Sequence, residues 1–157
     1  MTPARVKEIF KTACEATTDP STGDPKTACT FHYGKTSDAA IAIINNSSGV
    51  AFAFMDSGGM TVNEDTDNFE MKFTISFLSQ DKLDSAPSEE TDGGSGNREE
   101  IMTDMYDLWK EIKAYVINNH SDELVLLADD GFFIQHGFHI SSGYALRLTV
   151  SGRSECL

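Results

Sequence analysis

The sequence has few basic residues. It contains 12 lysines and arginines against 25 aspartates and glutamates, which gives a formal net charge of −13. No dense run of lysine or arginine occurs along the chain. A surface of this charge repels the phosphates of nucleic acids and the headgroups of anionic membranes. The composition therefore argues against a protein that binds DNA, RNA or an anionic membrane.

Long apolar runs are also missing, and no stretch approaches the roughly 20 residues that a membrane-spanning helix needs. The opening residues, MTPARVKEIF, lack the apolar core of a signal peptide. The three cysteines, Cys14, Cys29 and Cys156, are odd in number and widely spaced. We interpret them as reduced thiols of a cytoplasmic protein, with Cys156 in an exposed tail, and not as a disulfide framework.

A phosphate-binding motif is lacking at the place where the sequence first suggests one. Residues 92–97, DGGSGN, form a glycine-rich loop directly before a strongly periodic helix. A Walker loop needs a lysine after its last glycine, and a dinucleotide loop needs a further glycine after an apolar strand. Here the residues after Gly96 are Asn-Arg-Glu-Glu, and the carboxylates of Glu99 and Glu100 repel a phosphate. The loop is therefore predicted to be a flexible connection.

The four histidines, His32, His120, His136 and His139, do not form a metal-binding pattern. His136 and His139 are three residues apart, and on a strand that spacing directs two side chains to opposite faces. Cys29 and His32 have the same spacing. They supply only half of a zinc pattern, and as a thiol–imidazole pair they diverge.

Two oxygen-rich stretches, 63–70 and 129–131, suggest calcium. An EF-hand loop that begins at Asp65 needs glycine where Glu70 stands, so only a weak adventitious cation site stays open. No Gly-x-Ser-x-Gly elbow is present. Most paired carboxylates lie in the polar stretch 79–97, where no buried environment tunes a pKa. We therefore predict a non-enzyme with no catalytic, cofactor-binding or metal-binding residues and no cofactor.

Apolar residues recur at helical spacing in two segments. The first helix is predicted over about residues 3–17, with Thr2 as its cap and Pro3 in its first turn. The second begins near Asn97, whose side chain caps it together with Glu100, and ends near the sequence NNHSD. Its apolar stripe consists of Ile101, Met105, Leu108, Trp109, Ile112 and Val116.

Strands are predicted between and after the helices. The clearest is 69–78, in which Met71, Phe73, Ile75 and Phe77 alternate with polar residues. ACTFHYG, 39–44 and 49–55 are further candidates, and the segment before residue 69, DSGGMTVNEDTDN, is predicted as a polar turn. After the second helix, LVLLA is interpreted as a short strand or a helical turn. FFIQHGFHI and YALRLTV are interpreted as strands.

Residues 79–97 contain one leucine and no aromatic residue. Such a segment buries too little apolar area to offset its ordering entropy, so we predict a long flexible acidic loop. Residues 152–157 are predicted to form a tail. The whole chain, 1–157, is then one α+β domain with a mostly antiparallel sheet, two helices packed on one face, and the long acidic loop before the second helix.

The order and residue pattern of several segments resemble the sequences of one protein family. The segments are ARVKEIFKTACE, FHYG, FEMKFTISFLSQDKLD, NREEIMTDMYDLWKEIKAYV, GFFIQHGF, SSGYALRLTVSG and SECL. Together they are similar to the tail-terminator-like neck and tail-completion proteins of tailed bacteriophages. The strand at 39–44 departs from that family because it lacks the expected Tyr-Pro pair.

The resemblance implies a non-enzymatic virion structural protein that forms a homo-oligomeric ring at the head–tail junction. It implies portal or neck proteins and tail-tube proteins as neighbours, DNA that passes through the lumen without specific binding, and no membrane. An acidic lumen wall suits such passage because it does not grip the phosphate backbone. The alternative is a small soluble acidic α+β adaptor or ligand-binding domain.

Overall fold

The structure, a computed structural model, describes residues 1–16, 29–35, 51–64, 68–80, 98–134 and 141–153. These residues form two helices and five strands. The helices are α1 (Pro3–Ala16) and α2 (Arg98–His120), and the strands are β1 (Thr30–Gly34), β2 (Phe52–Glu64), β3 (Asn68–Gln80), β4 (Leu124–Ile134) and β5 (Ser141–Arg153). The predicted α+β class with a mostly antiparallel sheet is confirmed.

The five strands form one sheet in the order β1-β2-β3-β5-β4. β1 pairs with β2 in parallel, and the other three pairs are antiparallel. β3 and β5 form the longest ladder, which runs from Asn68↔Arg153 to Gln80↔Ser141. Among the described strands, β1 and β4 therefore lie at the two ends of the sheet, and β4 follows α2 in the chain.

Both helices begin and pack as their sequences dictate. Thr2 caps α1, since its hydroxyl accepts a hydrogen bond from the backbone N–H of Arg5 at 3.2 Å. Glu99 and Glu100 lie in the first turn of α2, where the helix dipole favours negative charge. The predicted stripe of α2 is buried: Ile101, Met105, Leu108, Trp109, Ile112 and Val116.

One main core joins the helices to the sheet. It contains the buried side of α1, the α2 stripe and the predicted alternating residues of β3, namely Met71, Phe73, Ile75 and Phe77. Phe10 of α1 meets Phe73 edge to face at 5.4 Å between ring centroids, and Trp109 of α2 stacks on Phe77 at 6.0 Å. We call the sheet side that carries these residues the helix face. A second, smaller cluster of Phe52, Phe54 and Leu78 is buried on the opposite face.

The predicted polar turn at residues 56–68 is wrong for most of its length. Residues Asp56–Glu64 continue β2 and pair with β3 up to Glu64↔Phe69. The ladder is irregular between Asp56 and Thr61. There the carboxylate of Asp56 accepts a hydrogen bond from the N–H of Gly58 at 2.7 Å, and Gly59 has a positive φ of 72°. Glycine adopts this backbone easily, so a polar, glycine-containing stretch remains within a strand.

Other predicted boundaries shift or lie outside the described residues. β3 extends through Gln80, and β5 extends through Arg153, so the predicted loop and tail are both shorter at these ends. The strand candidate 39–44, the Asn97 cap and residues 81–97 of the predicted acidic loop lie outside the described residues. Neither described helix is long and apolar enough to cross a membrane.

An ionic cluster ties the start of α1 to the residues that precede β4. The guanidinium of Arg5 donates two hydrogen bonds to the carboxylate of Glu123, at 2.9 and 2.8 Å, and a third to Glu8 at 3.0 Å. The Nδ1 atom of His120 lies 3.3 Å from the same Glu123 carboxylate. These contacts, those from Arg5 first, lower the pKa of Glu123 from its usual 4.5 to about 2.

We expect this cluster to make stability depend on acid pH. Because folding lowers the pKa of Glu123, its stabilising contribution is complete above pH 4.5 and is lost as the pH falls towards 2. In urea titrations, the midpoint difference between the wild type and Glu123→Gln should be largest near pH 6 and small at pH 2. Glu15→Gln is the control, because the contact of Glu15 within the described ranges is a long one, 3.9 Å to Lys11. A difference for Glu123→Gln that stays constant down to pH 2 would contradict the assignment.

Candidate protein-binding edge of the sheet

The end strand β4 exposes large apolar side chains along most of its length. Val125 is 51% exposed, Leu127 54%, Phe132 49% and Phe133 57%. We call these four side chains and the strand that carries them the β4 edge. An end strand presents backbone donors and acceptors on its outer side, and proteins usually protect such strands with charge, proline or a covering element. Here the outer strand is eleven residues long and rich in apolar groups.

A bulge at Leu127 divides β4 into two parts. Leu126 and Ala128 pair with Val150 and Thr149, which are adjacent in β5, so Leu127 is the extra residue of a bulge. Before the bulge, the strand and the C-terminal half of α2 enclose a groove of about 230 Å³. Leu127 and Ile117 of α2 line this groove, and Ile117 is 47% exposed. The groove offers an apolar surface beside the backbone of the strand.

After the bulge, β4 runs straight from Ala128 to Ile134 beside β5. An aromatic cluster supports this part on the helix face. Phe133 lies 5.2 Å from Tyr144 of β5 and 6.2 Å from Tyr106 of α2, measured between ring centroids. Gly131 leaves room for this arrangement, since a methyl group there would overlap the hydroxyl group of Tyr144. Burial among these groups raises the pKa of the Tyr144 hydroxyl.

Two carboxylates lie in the middle of β4. The register places Asp129 on the helix face, paired with Leu148, and Asp130 on the opposite face, paired with Arg147. The Asp129 carboxylate accepts a hydrogen bond from Lys113 of α2 at 2.7 Å. The edge therefore combines apolar groups at both ends with negative charge at its centre. That combination discriminates among partners, because burying a carboxylate without a cation is costly.

The residues that the sequence suggested for chemistry are separated. Cys29 is buried in the main core, whereas His32 lies against Phe52 of the second cluster, with ring centroids 5.8 Å apart. Burial lowers the pKa of His32. The imidazole of His120 belongs to the ionic cluster around Glu123. These positions agree with the divergence that the spacing predicts for Cys29 and His32.

The remaining candidates are placed as follows. His136, His139, Cys156 and the glycine-rich loop 92–97 lie outside the described residues. Asp129, Asp130 and Gly131 belong to β4. Within the described ranges, no group of three or more His, Cys, Asp or Glu side chains is arranged to hold a metal ion.

The comparisons with known proteins add no relative. No protein-family model matches the chain, and a search of curated proteins finds no match.

Sequence reasoning missed the β4 edge because it divided this strand. LVLLA and FFIQHGFHI are predicted as separate elements, and the residues between them, Asp129-Asp130-Gly131, have a composition common in turns. The signal that identifies the edge is the density of apolar residues on both faces, with Val125 and Leu127 before the acidic centre and Phe132 and Phe133 after it. In a strand with one buried face, apolar and polar residues alternate. In β4 they do not alternate, and its apolar side chains are exposed.

Proposed function

We propose that this chain is a non-enzymatic structural subunit that assembles with other protein chains through the β4 edge. The observation that carries the proposal is the exposure of four large apolar side chains on an end strand, next to the apolar groove at Ile117. Clustered exposed apolar groups mark protein–protein contact sites, and an exposed strand edge binds a further strand through its backbone.

The biological role that we propose for the chain is based on the sequence resemblance. In that role the chain is a virion protein, a homo-oligomeric ring subunit at the head–tail junction of a tailed bacteriophage. Its partners are copies of itself and the adjacent portal, neck or tail-tube proteins. The net charge of −13 supports a ring through which DNA passes without binding, because negative side chains repel the phosphate backbone. The same net negative charge disfavours binding to anionic membranes.

The contribution of the β4 edge is tested by Val125→Lys combined with Phe132→Lys. We expect sedimentation velocity to give a discrete oligomer for the wild type and a 17.2 kDa monomer for the double variant. Both side chains are about half exposed, so lysine should be tolerated in the folded monomer. The added positive charge lowers the net negative charge, so a loss of assembly cannot come from greater overall repulsion.

The matched control is Val62→Lys combined with Asn63→Lys. These residues are exposed on β2 and receive the same charge change. The control should assemble as the wild type does. If the β4 double variant forms the same oligomer as the wild type, β4 is not the assembly surface. If the wild type binds a basic protein as a monomer and never self-associates, the adaptor alternative gains the support.

A further inference from the structure

The charges on β4 argue against the simplest mode of self-association, in which two β4 strands pair about a two-fold axis. Asp129 is the central residue of Leu124–Ile134. Antiparallel pairing over this whole length places Asp129 opposite Asp129 of the second copy. Like charges directly opposite each other destabilise a strand pair.

A shorter two-fold pairing avoids that contact but has another cost. If only the straight part after the bulge pairs, its centre is Gly131. Asp130 then lies opposite Phe132 of the second copy, and Asp129 lies opposite Phe133. These carboxylates lose water next to phenyl rings and gain no new cation, which is unfavourable. β4 is therefore better matched by a strand that brings positive charge.

β1, the other end strand among those described, provides that charge together with α1. Tyr33 of β1 is 45% exposed, and the ammonium group of Lys7 from α1 lies 4.8 Å from the centre of its ring. Tyr33 pairs with Met55, a residue of the main core, so Tyr33 and Lys7 lie on the helix face. We call Thr30–Gly34 together with Lys7 the β1 edge. It presents an aromatic ring and a cation where the β4 edge presents aromatic rings and carboxylates.

We propose that the β4 edge of one copy binds the β1 edge of the next copy, so that the sheets join head to tail. This inference rests on the proposed self-assembly and names the surface that binds the straight part of the β4 edge. The lengths agree, because the seven residues Ala128–Ile134 span roughly 23 Å and the five residues of β1 span roughly 17 Å. The whole of β1 fits beside the straight part of β4.

The faces of the two edges also agree. When the sheets join with their helices on the same side, Lys7 and Tyr33 lie on the face that carries Asp129 and Phe133 of the next copy. Lys7 then provides the carboxylate with a second cation beside Lys113, and its ammonium group reaches the face of an aromatic ring. A head-to-tail contact uses two different surfaces, so repeating it generates a closed ring when the rotation per copy closes.

Two variants test the inference because each disables one edge. Asp130→Lys with Phe132→Lys disables β4 and leaves β1 intact. Lys7→Glu with Tyr33→Glu disables β1 and leaves β4 intact. Each variant alone should be a monomer. An equimolar mixture should form a one-to-one dimer of twice 17.2 kDa and stop there, since only one intact pair of edges remains.

The control for accumulated negative charge is Lys72→Glu with Thr103→Glu, which changes two exposed sites away from both edges by the same total charge as the β1 variant. It should assemble as the wild type does. Circular dichroism melting curves should show that every variant is folded.

Each other outcome overturns the inference in a distinguishable way. If the β1 variant assembles like the wild type and the β4 variant alone does not, β4 binds a surface of the next copy other than the β1 edge, such as its β4. If both variants are monomers and their mixture gives no dimer, the two edges do not bind each other. In these two cases self-assembly itself still stands. If the wild type is a monomer at every concentration, the proposed self-assembly fails together with this inference.

Discussion

Gly143→Ala is expected to lower the free energy of unfolding by about 3 kcal/mol, because an added methyl group collides with backbone atoms. Gly143 of β5 lies opposite Leu78 of β3. A methyl group at this position would overlap the carbonyl oxygen of Phe77 and approach the Cα atom of Leu78. Neither atom can rotate away, so β3 and β5 would have to separate along the longest ladder of the sheet. Urea denaturation followed by circular dichroism measures the loss.

Gly131→Ala is the matched control for this prediction. A methyl group there would overlap the hydroxyl group of Tyr144, which is the end of a half-buried side chain and can turn aside. We expect a cost of about 1 kcal/mol, which mostly reflects the disturbed contacts of Tyr144 with Tyr106 and Phe133. Equal losses for the two glycines would show that the close approach of β3 and β5 at Gly143 is not as described.

Trp109→Ala is expected to cost about 3–5 kcal/mol, the range observed when a large aromatic side chain is removed from a core. The Trp109 side chain is almost fully buried between α2 and the sheet and stacks on Phe77 with an angle of 30° between the rings. Its removal leaves a cavity between the longest helix and the central strand. The urea midpoint should fall strongly while the secondary structure at low urea is retained.

Tyr106→Ala separates the effect of burial from the loss of an aromatic residue on the same helix. Tyr106 is 38% exposed and meets Phe133 and Tyr144 at the β4 side of the molecule. We expect a loss of about 1 kcal/mol from these contacts. A loss as large as that of Trp109→Ala would mean that the aromatic cluster beside β4, and not the Trp109 contact, fixes α2 on the sheet.

The elements with one buried face were predictable from the sequence, because burial on one side imposes a period. Both helices and β3 follow their apolar stripes, and the inward residues Leu146, Leu148 and Val150 of β5 do so too. Which strands pair with each other was harder to predict from the sequence. The parallel contact of β1 with β2 depends on residues distant in the chain, and no local pattern specifies it.

Residues 56–68 are predicted as a polar turn and residues 129–131 lie between two predicted elements, yet Asp56–Glu64 and Asp129–Gly131 are parts of strands. Asp56–Glu64 remains in β2 because β3 lies alongside and supplies backbone partners. Asp129–Gly131 remains in β4 because β5 pairs with it and Lys113 binds the carboxylate of Asp129. Composition alone favours a turn in both places, and only the neighbouring strand decides otherwise.

The candidate binding edge was not predicted, although the sequence contains its residues. Its identification requires knowing that β4 lies at the end of the sheet, which follows from the β5–β3 pairing and not from β4 itself. The prediction of self-assembly came from the sequence resemblance, and the edge gives that proposal a specific surface. The charge of Lys7 beside Tyr33 becomes relevant only when both ends of the sheet are known.

The central claim is that copies of this chain assemble, and the native mass tests it most directly. Light scattering after size exclusion should be measured over a wide concentration range at low and moderate salt. Salt matters because a net charge of −13 opposes association until it is screened. The account predicts a discrete multiple of 17.2 kDa that becomes more populated with concentration and salt. A mass of 17.2 kDa under every condition would contradict it.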